Sequence, residues 1–475
     1  MDIVSRYSFW LGRNNGAISK FLEWPRSGKI LSVKEYINKY PDGNTTILPY
    51  NPSVNFFDHF STLFRESDKP WLIDLGSSND GTEFSDCVFG AKNAYLSFVV
   101  GTNAENVIYS TLVYENVSNV LNSVFVTLNS DIIFHSHNIN KSFKVFYSNH
   151  VYESNNIWFS SNLIGCSECL SCDDLQNQSY CINNQRLTKE EYILRKESLL
   201  HDRKKYDEYY SNINHTAKNI NSTSTNSYGI VHSNDIEDSY YTNRLETGRN
   251  NFYINGGDGC HRFYDCFDAG TKCDDFYGIC SAGEFSNNIY CSVNASVSSH
   301  IYHSFNVVNC SFCLGCIGLR NKSYCIFNQQ HTKEEREEKV NEIFWQMEKD
   351  GSLGEFFPAS MCPYYFNDTA AYLVDSSFTK EEVTAAWYLR RDEAIKVDIP
   401  ADAEVVKSDN LDQFESFDAE WNRTISADIL KKVIHDESWN YYRIIPMEYK
   451  FLMKHGIPLP RQHWLERMKQ NFKIQ

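Results

Sequence analysis

Short apolar runs, each closing on a serine, recur through the first third of the chain. NAYLS ends at Ser97, NVIYS at Ser110, NVLNS at Ser123, IIFHS at Ser136, KVFYS at Ser148 and NIWFS at Ser160. The steps between these serines are 13, 13, 13, 12 and 12 residues, and a further 12 lands on Cys172. A second series, Cys266, Cys280, Cys291, Ser304 and Cys316, keeps the rhythm with steps of 14, 11, 13 and 12. Such runs, separated by Asn, Ser and Gly, bury their apolar side only by stacking on copies of themselves, which predicts a β-solenoid. The Asn ahead of several runs (Asn93, Asn106, Asn119, Asn156) suits a corner, because Asn tolerates the left-handed backbone region. The spacing leaves open whether 12–13 residues make a whole narrow coil or half of a wider one.

The pattern is duplicated. Residues 157–191 align without a gap on residues 301–335, with 20 of 35 positions identical. Four cysteines coincide: Cys166 with Cys310, Cys169 with Cys313, Cys172 with Cys316 and Cys181 with Cys325. C-x2-C spacing brings two thiolates to one tetrahedral ion, so zinc in one or both copies is one reading of these eight residues. The period supplies another. Steps of 12 back from Cys166 meet Ser154, Ser142, Ser130 and Ser118, and from Cys310 they meet Ser298 and Ser286. Cys169 and Cys181 continue Val145 and Ile157, while Cys313 and Cys325 continue Ile289 and Ile301. The cysteines therefore read first as reduced fillers of a packing ladder, with zinc as the alternative and disulfides as a third possibility. Fifteen cysteines, an odd and clustered set, together with the start MDIVSRYSFW, which has no apolar signal core, suggest a reducing, cytoplasmic setting. No apolar run approaches the length of a membrane span.

Helix signals divide the remainder. Capping boxes stand at Thr188-x-x-Glu191, Thr332-x-x-Glu335 and Thr379-x-x-Glu382, and Ser426 caps a further helix predicted over 427–435. The first helix is predicted to reach about residue 210. The stretch 211–227, with 12 of 17 residues Asn, Ser or Thr, reads as a flexible loop. The predicted organisation is an N-terminal cap (1–85), a first β-solenoid (86–187), a helix with flexible insert (188–248), a second β-solenoid (249–331) and a mainly helical C-terminal region (332–475). The fold class is thus β-rich α+β: two β-solenoid (parallel β-helix-like) segments related by internal duplication, with a helical insert and a helical C-terminal region.

Chemistry is sparse. The 475 residues carry a net charge of −16, which disfavours whole-surface binding to nucleic acid or anionic lipid. A basic end, with Lys450, Lys454, Arg461, Arg467, Lys469 and Lys473 against Glu448 and Glu466, could touch RNA or an acidic partner, although a solvated helix face is the simpler reading. No HExxH, GxSxG, Walker or dinucleotide motif stands in context. WLIDLGSSNDG (71–81) has the wrong glycine spacing for a methyltransferase loop, and residues 256–260 read as a turn. His135, His137, His300 and His303 fall on or beside solenoid runs, so no catalytic residue is assigned.

The repeated YCI-x-N-Q-x-x-T-K-E-E (residues 180–191 and 324–335) resembles the YCIxNKQYTKEEY signature of an uncharacterised family of cysteine-rich proteins from candidate-phyla bacteria. CPYYFNDTAAYLVDSSFTKEE (362–382) and YRIIPMEYKFLMKHGIPLPR (442–461) are similar to other segments of that family. The last implies a C-terminal zinc ribbon, but Asp436 stands where the family has a cysteine, and Gln462-His463-Trp464 replace the downstream pair. The reading that follows is a non-enzymatic structural or interaction protein, bacterial or phage-like, which uses capped solenoid faces to assemble with itself or a larger particle. Two alternatives are a zinc-binding module that contacts nucleic acid or the translation apparatus, and a polysaccharide-acting solenoid enzyme. The last would need carboxylates repeating at the 12–13-residue step, and none do.

Overall fold

The computed structural model describes residues 26–70, 72–73, 79–82, 84–219, 222–223, 286–374, 376–392, 399–438 and 440–472, and the backbone alone at 224–225, 236–237, 240–243, 252–255, 261–264, 267–269, 274–277 and 280–282. The start of the expected N-terminal cap, most of the 71–81 segment, the 256–260 turn, Cys266, Cys273 and Lys473 lie outside the described residues. Between residues 84 and 326 the chain winds about 15 β-solenoid turns, with helices elsewhere, including the C-terminal region. It divides into two compact units, one of residues 78–83, 89–216 and 392–475, the other of residues 1–77, 84–88 and 217–391.

In the first of these units each coil carries two four-residue strands. One face stacks Glu105–Ile108, Ser118–Leu121, Asp131–Phe134, Phe143–Phe146, Asn155–Trp158, Ser167–Leu170 and Ser179–Ile182, all parallel. The opposite face stacks Thr111–Tyr114, Val124–Thr127, His137–Asn140, Asn149–Tyr152, Ser161–Ile164 and Asp173–Gln176. Val107 lies over Val120 and Val145 over Ile157, so 12–13 residues make one whole, narrow coil.

Such a tight coil needs corners, and the backbone supplies one at every third residue. Asn106, Tyr109 and Leu112 have φ of 57°, 50° and 56°, and Asn156, Phe159 and Asn162 have 53°, 48° and 55°. The difference between 13 and 12 also lies in a corner. Each longer coil carries a second left-handed residue beside the first, as at Thr102–Asn103, Glu115–Asn116 and Leu128–Asn129, and the extra asparagines stack, with Asn103 Nδ2 donating to Asn116 Oδ1 (3.0 Å). This insertion corrects one predicted rung: the residue below Ser130 in the interior is the fully buried Val117, while Ser118 faces outward and donates to Asp131.

Every third side chain points inward, four to a coil: Val120, Ser123, Val126, Ser130, then Ile133, Ser136, Ile139, Ser142, all fully or almost fully buried. The serines pay their desolvation cost with a repeated pair of hydrogen bonds. Ser110 Oγ donates to the Ile108 carbonyl (2.8 Å) and accepts from the Ser123 amide of the next coil (3.0 Å), and the relay continues through Ser136, Ser148 and Ser160. The solenoid closes on an antiparallel pairing of Gln185–Arg186 with Cys181 and Ile182, and the Thr188–Glu191 capping box then opens a helix. That helix, Lys189–His201, ends earlier than expected, because Asp202 caps a second one, Arg203–Ser211. The segment after it is ordered at 212–216, where Ser161 Oγ and Asn162 Nδ2 donate to the Asn214 and Thr216 carbonyls. Asn214 also reaches the solenoid wall with its side chain, its Nδ2 donating to Asp173 (3.0 Å).

Residues 399–472 add a parallel pair with a third strand (Val405–Lys407, Val433–His435, Tyr441–Tyr442), a hairpin (Glu415–Phe417 with Arg423–Ile425) and two helices, Pro446–His455 and Trp464–Phe472. Ser426 caps only a short 3-10 turn, Ala427–Lys431, which gives way to strand Val433–His435. The last helix fastens to the solenoid, with Trp464 stacked on Tyr109 (5.3 Å) and Asn471 Nδ2 donating to the Asn122 carbonyl (2.7 Å).

The other unit repeats the coil. Asn287–Tyr290, Ser299–Tyr302 and Ser311–Leu314 form one face, Val293–Ser296 and Phe305–Val308 the other, with Ile289, Ala295, Ile301 and Val307 buried inside. Its longer sheet begins at Tyr240–Asn243, ahead of the boundary predicted at 249, and a separate parallel pair, Ser224–Thr225 with Ile236–Glu237, precedes it. Helix Lys333–Asp350 carries Val340, Ile343, Phe344 and Met347 on one face and buries all but Phe344, which is half-buried. Helix Phe56–Glu66 covers one side, bringing Phe56 against His303 and Phe64 against Phe305.

Candidate functional site

The duplicated cysteines all turn inward, at the end where each solenoid closes. Cys166, Cys169 and Cys172 occupy three successive inward positions, and Cys181 sits directly above Cys169. Cys310, Cys313, Cys316 and Cys325 do the same in the other unit, and all eight are buried free thiols. Cys166 and Cys172 take the places of ladder serines, receiving nothing new: their amides donate to Ser154 Oγ and Ser160 Oγ (3.0 Å each), as a serine's would. Cys310 and Cys316 repeat this with Ser298 and Ser304 (3.1 Å each).

Each thiol also donates to the carbonyl two residues back, at 3.4 Å for Cys166 to Ile164, 3.4 Å for Cys172 to Leu170 and 3.6 Å for Cys169 to Ser167. Cys172 Sγ also accepts from the Asn184 amide (3.4 Å), and a zinc ligand at any of these positions would have to be a thiolate. Hydrogen bonds with Cys166 and Cys172, and then burial, hold Cys169 well above the ordinary thiol range, and Cys313 is held up in the same way. Cys166 itself is lowered to about 7 by the hydrogen bond with Cys169. Among the described residues, no group of three or more His, Cys, Asp and Glu side chains is arranged to hold a metal ion.

The histidines sit in the walls. Burial pushes His135 and His150 down to about 3 and His303 to about 4, so all three are neutral at pH 7. His135 Nε2 meets the Tyr210 hydroxyl (2.9 Å), and His303 Nε2 meets the Glu355 carbonyl (2.9 Å). Of the basic end, Arg467 is buried, Arg461 and Lys469 are half-buried, and Lys450 and Lys454 are exposed. Arg467 pairs with the buried Glu448 (2.9 Å), Arg461 with Asp412 (2.9 Å) and Lys469 with Glu466 (3.0 Å). Asp436 accepts from the backbone amides of Ser438, Asn440 and His463, which ties two distant segments through one carboxylate.

A cleft of about 460 Å³ opens on the first-described unit. The solenoid wall contributes Lys144, Phe146 and Trp158, helix Lys189–His201 contributes Lys196 and His201, and helix Pro446–His455 ends there with Lys454 and His455. Phe146 and Trp158 stack as its floor (4.3 Å). Trp421, at the tip of the 415–425 hairpin, stands 64% exposed with His201 stacked on it (6.0 Å). Lys196 is paired with Glu168 (3.2 Å), and Arg423 with Glu415. Lys144 and Lys454 have no ion pair among the described residues. Burial and then these two ammonium groups press His455 down to about 4.

Family models, curated proteins and solved structures offer no match to this chain. The site therefore rests on its own geometry. The structure brings together the four cysteines of each copy, as the spacing suggested, but as hydrogen-bonded rungs. The cleft escaped the sequence because Lys144, His201, Trp421 and Lys454 share no motif. The one local signal was the basic end, and of its residues only Lys454 lines the cleft.

Proposed function

We propose that the protein is a non-enzymatic structural protein whose solenoids serve as rigid frames for assembly with itself. The eight cysteines, in this reading, are reduced packing rungs rather than zinc ligands. The observation that carries the proposal is Trp387. It follows helix Lys380–Ala385 at φ 67°, a position glycine normally fills, and is 73% exposed. A bulky side chain in the left-handed region costs about 1–2 kcal/mol and here recovers none of it by burial. Such an anchor suits a partner's pocket, where Trp is the most frequent dominant contact. Trp345, 62% exposed on helix Lys333–Asp350, adds a second large apolar group in the same unit.

The test is sedimentation velocity across a hundredfold range of concentration, on the wild type and on Trp387→Gly. Assembly predicts a mass that rises with concentration in the wild type. The glycine variant should stay monomeric while unfolding at equal or higher denaturant, because it relieves the backbone. A wild type that remains monomeric throughout overturns self-assembly, as does a variant that associates as well as the wild type.

A further inference from the structure

The cleft beside Trp421 has features that a structural frame does not require. Trp421 is the second exposed tryptophan held at positive φ (61°). Its turn is fixed by Asp418, whose Oδ1 accepts from the Glu420 and Asn422 amides (2.9 and 2.8 Å) and whose carbonyl accepts from the Trp421 amide (3.1 Å). The hairpin thus spends backbone energy to present an indole to solvent, and backbone outliers of this kind concentrate at ligand sites. His201 occupies one side of that indole.

The charges complete the picture. Lys454 and His455 close a helix C-terminus, where cations are favoured by the helix dipole, and Gly456 caps it. Lys144 comes from the solenoid wall, its ammonium over the Phe143 ring (5.2 Å) and, among the described residues, without an ion pair, and it lines the same cleft. Two ammonium groups without a carboxylate partner among the described residues, beside an imidazole kept neutral, make a local positive potential on a molecule of net charge −16. A volume of about 460 Å³ falls within the range of small-ligand sites.

We propose that this cleft binds a nucleotide, its base stacked on Trp421 and its phosphate held by Lys144 and Lys454, either free or as a unit of single-stranded nucleic acid. Aromatic stacking that accepts any base and lysines that take the phosphate are the two elements of sequence-tolerant nucleotide binding. The inference is independent of self-assembly, which it leaves unchanged.

The experiment titrates the full chain with fluorescent adenosine monophosphate and with a labelled short oligoadenylate, at two salt concentrations. Saturable binding of either probe is expected. Trp421→Gly should weaken it about tenfold or more while leaving thermal unfolding equal or improved. Lys144→Gln with Lys454→Gln should weaken it about tenfold and flatten the salt dependence, and Lys450→Gln, on the same helix but outside the cleft, should change nothing. Binding of the monophosphate identifies a free-nucleotide site, and binding of the oligomer alone identifies a single-strand site. The proposal fails if neither probe saturates, if Trp421→Gly leaves the affinity intact, or if inorganic phosphate competes as well as the nucleotide does.

Discussion

At the scale of single residues, the interior serine and the interior cysteine perform the same task. Each sends its proton to a carbonyl two residues back and receives an amide from the neighbouring coil when one is there. Cys172→Ser should therefore leave stability within about 1 kcal/mol of wild type, whereas Ser136→Ala, which strands the buried Ser148 amide and removes one of two donors to the Phe134 carbonyl, should cost about 1–3 kcal/mol. Urea denaturation of both variants checks this, and a Cys172→Ser protein that fails to fold would favour metal ligation. The buried histidines set the response to acid. His135, His150 and His303 stay neutral in the folded chain down to about pH 3–4 but charge at about 6.5 when unfolded. The unfolded state then binds more protons, so stability is fully present above pH 6.5 and falls as pH drops toward 3–4, by about 1.4 kcal/mol per pH unit for each histidine. Replacing His150 by Asn should lower that slope by one proton's worth, measured by denaturation at stepped pH. The asparagine corners were legible because Asn favours the left-handed region. Tyr109, Leu112 and Phe159 occupy the same kind of corner against their own preference, so only the stacked coil could reveal them.

At the scale of elements, the period was legible and its anatomy was not. Serine spacing marks two inward positions per coil, and it carries no sign of the extra corner residue that separates a 13-residue coil from a 12-residue one. The closing device was fully written in the sequence, since the Thr-Lys-Glu-Glu box appears three times, caps a helix each time, and stands at the end of a solenoid in two of them. Thr188→Ala and Thr332→Ala should each cost about 1 kcal/mol and speed amide exchange at the first turn of the following helix. Gly165 gives a sharper test. It stands at φ 62° in a corner where an added Cβ would come within 2.4 Å of Asn177 Oδ1. Gly165→Ala should destabilise the protein more than either capping variant, and calorimetry would show the order. Within the 211–227 stretch, composition alone cannot distinguish an asparagine that solvates a loop from one that, like Asn214, pairs with a wall.

At the scale of the whole molecule, native mass spectrometry without chelator should return the bare chain mass with reduced thiols. One or two zinc ions retained would overturn the packing-rung reading of the cysteines. The cleft lay beyond sequence reasoning because it is assembled from a strand, two helix ends and a hairpin tip that are far apart in the chain. The left-handed corners have a wider consequence. An amino acid of ordinary chirality is at a disadvantage at one position in three along the coils, and its mirror image would be at home there. A semisynthetic chain carrying D-asparagine at position 106 or 156 should fold into the same solenoid and melt at a higher temperature, an outcome that would end most other β-structures.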